Sequence, residues 1–338
     1  MSALLRAPAK AGSGNAARHA RALIILVPLL GSLLGGAALA GPPEAVTRLS
    51  AEEAEAGGLA IGLVRHDLGS GAALEVQLPP QAMGARLLAA APDGSSVALA
   101  DRYGVEQTVL VVAHADGSQA RVQMPGLLAA AWAPGGDRLA VIDGRGALWT
   151  VDASSGDPHP LADGPFLGHP TVQPDGSMLL LSVSSVEAPI LSQLVELDTE
   201  SGEITSLAEE TLVYAAFPMA DGSIAVVAHS DGSTVVRRIR GHRDELIADL
   251  GPGAIQVAVA PNGRIAFARE ASGIFVLGQP GDRPHLLAPG SDPAFDPSGS
   301  NLMVRQDGET VVLALDGSTL ARVAGDAAFV TCAGECGS

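Results

Sequence analysis

The sequence predicts an all-β chain folded as a β-propeller, and two observations carry that prediction. A unit of apolar strand, tight turn and second apolar strand occurs in six copies, spaced by about 40 residues. Glycine and proline punctuate the chain every ~8–12 residues, which suits short strands and not stacked helix pairs of the same period.

The unit is plainest at Ala131-Trp132-Ala133-Pro134-Gly135-Gly136, followed by Leu139-Ala140-Val141-Ile142. The slot of Pro134 is held elsewhere by Pro92, Pro174, Ala220, Pro261 and Pro297. Two positions on stands a glycine in every copy: Gly94, Gly136, Gly176, Gly222, Gly263 and Gly299. Proline presets φ for entry into a turn, and glycine supplies the positive φ that the turn then needs. Small residues precede the turn (Ala89, Ala90, Ala130, Ala131, Ala258), as crowding around a central axis requires.

The two ends of the chain look like halves of one further unit. Residues 59–64 and 72–78 read as strands around a turn at 67–71 that resembles the later outer turns at 152–156 and 198–202. Asp326-Ala327-Ala328-Phe329 repeats the inner-strand pattern of Tyr214-Ala215-Ala216-Phe217. Pairing them closes a ring and removes bare strand edges. The expectation is therefore seven blades, the last shared between the N- and C-termini, with six blades as the alternative. The domain boundaries expected are a signal peptide over 1–40, a linker over 41–58, the propeller over 59–331 and a tail over 332–338.

Residues 1–40 carry Arg6, Lys10, Arg18 and Arg21 without an acid, then an apolar stretch, then Ala38-Leu39-Ala40. That order is the pattern of a cleaved export leader, and it predicts a periplasmic or secreted protein; an uncleaved membrane anchor is the alternative. After cleavage no membrane span is expected. In 41–58, Ser50 and Glu53 have the spacing of a helix-capping box, and a solvated acidic spacer is the competing reading.

The formal net charge is −17, which disfavours nucleic acid as a partner. Lys10 is the only lysine in the chain and lies in the leader. Schiff-base, phosphate-loop and Ser-x-x-Lys chemistry therefore have no lysine to use in the mature protein. Nucleophile-elbow and zinc-protease motifs are absent as well, and His242-Arg243-Asp244 lacks every companion that a kinase catalytic loop needs. Cys332 and Cys336 are the only cysteines; a local disulfide is the first reading, free or intermolecular thiols the second.

Ala91-Pro92-Asp93-Gly94 and Gln173-Pro174-Asp175-Gly176, each followed by an apolar strand, resemble the repeat of TolB-like and WD-type β-propellers. Trp132, Phe217 and Phe295 stand where such repeats often carry an aromatic residue. The resemblance covers about residues 59–330 and implies the fold; activity does not follow from it. No stretch resembles the domain that precedes the propeller in TolB translocation proteins, or the hydrolase domain that follows it in prolyl-oligopeptidase relatives.

Propeller ligands commonly sit at the axial channel, where inner strands begin. Counting back five residues from the aligned slot gives Leu87, Ala129, His169, Ala215, Gln256, Asp292 and Asp326. His169, Asp292 and Asp326 are the candidate ligands for a divalent cation, with Gln256 as a further binding residue; the alternative is that they only wet the channel rim. Arg237, Arg238, Arg240 and Arg243 form a basic island, either a docking patch or a solvated outer hairpin. The reading is an exported, monomeric, non-catalytic scaffold that needs no cofactor and binds an envelope protein or peptide. The alternative is a metal-assisted hydrolase or lyase working at the channel mouth.

Overall fold

The computed structural model describes residues 45–53, 59–67, 73–77, 86–91, 95–103, 107–114, 116–173, 175–185, 191–208, 212–269, 272–296, 298–324 and 327–330. All of its regular structure is strand. The N-terminal strands are β1 (Ala45–Glu53), β2 (Leu59–Asp67) and β3 (Ala73–Gln77). Six blades follow, each built from four consecutive strands that run from the axis outward.

The first blade is β4 (Arg86–Ala90), β5 (Ser96–Tyr103), β6 (Gln107–His114) and β7 (Gln119–Met124). The second is β8 (Leu127–Trp132), β9 (Arg138–Asp143), β10 (Leu148–Asp152) and β11 (Pro158–Ala162). The third is β12 (Phe166–Val172), β13 (Met178–Ser185), β14 (Leu191–Leu197) and β15 (Ile204–Ser206). The fourth is β16 (Leu212–Pro218), β17 (Ile224–Ser230), β18 (Ser233–Arg240) and β19 (Arg243–Gly251). The fifth is β20 (Ala254–Val259), β21 (Ile265–Arg269), β22 (Gly273–Leu277) and β23 (His285–Ala288). The sixth is β24 (Ser291–Phe295), β25 (Asn301–Gln306), β26 (Glu309–Ala314) and β27 (Thr319–Ala324), after which β28 (Ala327–Val330) begins.

The expectation of seven blades is corrected. Six blades are contiguous units of one recurring build, and the termini form a composite four-stranded sheet in the order β28-β1-β2-β3. That sheet takes three strands from the N-terminal stretch where the sequence suggested two. The extra strand, β1, lies inside the segment expected to be a linker. It pairs with β2 over nine residues, from Ala45↔Asp67 to Glu53↔Leu59, and with β28 from Ala45↔Val330 to Arg48↔Ala327. These ladder partners, supplied from outside the segment, override a weak local signal.

Each blade buries its faces against its neighbours. Between the first and second blades, Leu110, Val112, Val122 and Met124 meet Trp132, Leu139, Val141 and Val151. Between the fourth and fifth, Phe217, Val227 and Leu250 meet Val259, Ile265 and Phe267. Ala327 of β28 packs with Ala294, Met303, Val312 and Val323 of the sixth blade. Leu110, Leu139, Ile265 and Phe267 are fully buried, and each such side chain contributes about 1.5–3 kcal/mol relative to exposure. Alanines at the inner strands (Ala90, Ala130, Ala131, Ala258) let the blades approach near the axis.

The hairpin turns are those expected from the glycine column. Gly136, Gly176, Gly222, Gly263 and Gly299 have φ of 71°, 88°, 76°, 87° and 68°. These turns lie at one end of the ring, called here the turn end. There Asn262 Nδ2 donates to Ser298 O at 3.1 Å and Arg264 to Gly299 O at 2.7 Å, joining the fifth blade to the sixth. The inner strands begin at the opposite, entry end.

Candidate entry-end binding surface

Every inner strand of the six blades breaks register with its partner near its start. The breaks fall at Leu87/Ala89, Leu127/Ala129, Leu167/Thr171, Val213/Ala215, Ile255/Ala258 and Ser291/Ala294. A bulge inserts a residue without a ladder partner and re-aims its side chain. The bulges do not sit at one fixed distance from the turn, so counting back five residues does not give a single level. Leu87 and Ala129 are buried, at 5% and 1%, while the bulge residue Leu128 is 42% exposed. Leu167 and Ile255, at the edges of their own bulges, are 41% and 43% exposed. Leu88 and Tyr214 are half-buried at the corresponding places, and burial raises the Tyr214 hydroxyl above its ordinary pKa. Five consecutive inner strands thus present an apolar arc at the entry end.

The sixth inner strand closes that arc with polar groups. Gln256 and Asp292 are non-glycine residues with φ of 51° and 53°, held at bulges of adjacent blades. The Asp292 N–H donates to Gln256 Oε1 at 3.1 Å, and Ser291 Oγ lies 3.2 Å from Asp292 Oδ2. The side-chain amide of Gln256 is thereby oriented across the blade boundary. Two of the residues singled out from the sequence are brought together in this way.

His169 lies within the bulge of β12, half-buried, between Gly168 (φ 72°) and Pro170. Asp326, Cys332 and Cys336 lie outside the described residues. Among the described residues no three His, Cys, Asp or Glu side chains gather closely enough to hold a metal ion.

The basic island lies on the β18–β19 hairpin of the fourth blade and is interleaved with acids. Arg237 Nε pairs with Asp244 at 2.7 Å, and Arg240 Nη1 lies 3.8 Å from Asp221 Oδ2. Arg238 is half-buried with Ile239 buried opposite it, and Arg243 is exposed across the turn from Arg240. Alternation along the strand gives this pattern. The four arginines stand on the outer half of one blade, away from the inner-strand bulges.

Sequence reasoning missed the second–third strand turns that rim the entry end. Asp231 and Asp307 occupy them with φ of 48° and 52°, and both are exposed. Asp231-Gly232 and Asp307-Gly308 are Asp-Gly pairs, the sequence mark of a tight hairpin turn, and that mark does not show at which end of the ring the turn stands.

The fold and this arrangement of inner strands define a β-propeller. Among solved structures the chain is similar to TolB from Acinetobacter baumannii, with 17% identity, 84% of this chain and 81% of that chain covered, and a TM-score of 0.53. It is also similar to an oligogalacturonate lyase in complex with manganese (13% identity, 88% of this chain and 86% of that chain, TM-score 0.59). A third is Pyrococcus horikoshii acylaminoacyl peptidase (13% identity, 81% of this chain and 50% of that chain, TM-score 0.57). At these identities the likeness shows the fold alone. No protein-family model and no curated protein matches the sequence.

Proposed function

We propose that the protein is an exported, non-catalytic propeller that binds a protein or peptide partner in the cell envelope. One observation carries this reading: Leu128, Leu167 and Ile255 stand more than 40% exposed at the entry end of a ring whose inner strands keep their other apolar residues buried or half-buried. A rigid scaffold that offers variable rim positions is the usual basis of a binding surface. The basic apolar leader supports export to the periplasm or beyond, and the likeness to TolB is compatible with a scaffold role. The test is affinity capture from an envelope extract with the purified mature chain. Reproducible recovery of one saturable partner supports the reading, and recovery of none counts against it.

A second reading, a metal-assisted lyase or hydrolase, draws support from the lyase neighbour, which was solved with manganese. His169, Asp292 and Asp326 are its proposed ligands, with Gln256 beside them. Melting curves with and without manganese, calcium or zinc decide it. A rise in Tm that is lost in His169→Ala and Asp292→Asn supports a resident cation, and unchanged melting removes the reading.

A further inference from the structure

We infer that the partner meets the entry end through a short extended segment in which basic residues flank an aliphatic side chain. This inference rests on the scaffold reading above and specifies the chemistry of its partner. Inner strands β4, β8, β12, β16 and β20 pack side by side and present Leu88, Leu128, Leu167, Tyr214 and Ile255. A single Leu or Ile side chain laid between Leu128 and Leu167 would remove apolar surface from water on both partners.

Asp163 precedes β12 at the entry end, and Asp231 and Asp307 occupy the turns β17–β18 and β25–β26. All three are exposed, and none pairs with a cation among the described residues. Opposing them on the described rim are exposed Arg145, in the β9–β10 turn, and exposed His229, at the end of β17, while half-buried Arg269 and Arg305 donate to Leu250 O and Thr310 Oγ1. The chain as a whole carries −17. An acidic rim around an apolar arc repels acidic segments, a second copy of this chain included, and attracts cationic ones. Gln256 contributes direction. Its Oε1 is taken by the Asp292 N–H, so its Nε2 is left to donate, and a main-chain carbonyl of the incoming segment is a fitting acceptor.

The experiment selects a displayed library of random short peptides on the purified full chain, then measures one recovered peptide, labelled, by fluorescence anisotropy. The recovered sequences should be enriched in Arg or Lys adjacent to Leu, Ile or Val. The double variant L128S/L167S should weaken binding about tenfold, the loss expected for withdrawing a modest apolar contact. The double variant D231N/D307N should weaken it several-fold at low salt and hardly at all at high salt. All four side chains are exposed, so both variants should melt with the parent. Enrichment of acidic peptides, or an affinity unchanged in both double variants, overturns the inference. So does self-association on sizing chromatography that L128S/L167S abolishes, because the arc would then be the seat of a second copy. Envelope capture separates the two levels. A partner held equally well by parent and both variants leaves the scaffold reading standing and this assignment fallen. Failure of capture and selection together overturns both.

Discussion

The backbone N–H of Asp292 is held by the side chain of Gln256 across the boundary between the fifth and sixth blades, at 3.1 Å. Both residues carry left-handed backbone at bulges, which costs about 1–2 kcal/mol for a residue with a Cβ. The hydrogen bond helps to keep that arrangement in place. Gln256→Ala should therefore destabilise the chain by about 1–2 kcal/mol, since it removes the acceptor and keeps the strained φ. Gln256→Gly removes the same acceptor but relieves the φ, so it should cost less than the alanine variant. Urea denaturation of the three proteins checks the order, and an alanine variant as stable as the parent would show that the clamp carries nothing.

Phe267 is fully buried and stacks on Phe275 with ring centroids 5.6 Å apart, and the Arg269 guanidinium lies 5.3 Å and 5.1 Å from the two centroids. The cluster sits in the core shared by the fourth and fifth blades. Phe267→Ala should cost about 3–5 kcal/mol through the cavity it leaves. Phe267→Leu, which fills most of the volume, should cost clearly less. A shallow loss in the alanine variant, read from its denaturation midpoint, would mean that the two blades collapse freely onto the gap.

The repeat made most of the ring legible, because each turn requires a glycine that the sequence shows at fixed register. Gly136, Gly222 and Gly299 all have the positive φ their positions demanded. Strand β1 was not legible: Ser50 and Glu53 mimic a helix cap, and only the ladder partners in β2 and β28 make Ala45–Glu53 a strand. The candidate site was half legible. Gln256 and Asp292 were found together by counting from the turn, yet Leu128 was hidden beside Ala129. A bulge shifts the facing of a side chain without leaving a fixed residue signature. The identity of the exposed leucines follows from backbone geometry that no periodicity reports.

Gly299 stands where the fifth and sixth blades touch at the turn end. A Cβ there would lie 2.6 Å from Asn262 Nδ2 and 2.8 Å from Ala260 Cβ, at a φ of 68°. Gly308 has a similar φ of 84° but open space around it. Gly308→Ala thus pays for backbone strain alone, about 1–2 kcal/mol. Gly299→Ala adds overpacking against Asn262, a further 1–3 kcal/mol or so. Differential scanning calorimetry should place the Tm of the Gly299 variant well below that of the Gly308 variant. Equal values would show that the Asn262 side chain simply steps aside.

The hairpin aspartates contribute stability that is lost at acid pH. The Ser154 hydroxyl donates to Asp152 at 2.7 Å and the Ser155 N–H at 2.8 Å, and these bonds hold the Asp152 carboxyl down at about 2 from an ordinary 3.8. Asp116, Asp221 and Asp316 are lowered in the same way, first by the hydroxyl of the serine two residues on (Ser118, Ser223, Ser318) and then by its N–H. A carboxylate whose pKa is lower in the folded state stabilises the fold above its unfolded value. That contribution is complete above about pH 4 and fades as the pH falls from 3.8 towards 2. Asp296 has the opposite sign: burial pushes its carboxyl up, against several hydrogen bonds, so the native state holds its proton more tightly than the unfolded chain does. Asp296 therefore adds stability as the pH falls through its raised pKa, while the more numerous hairpin aspartates withdraw theirs below about 4, so the net decline is expected below about pH 4. Ser154→Ala should return the Asp152 pKa towards 3.8, read from the carboxyl carbon shift in an NMR titration. An Asp152 titration unchanged in that variant would show that the hydroxyl bond is not what lowers it.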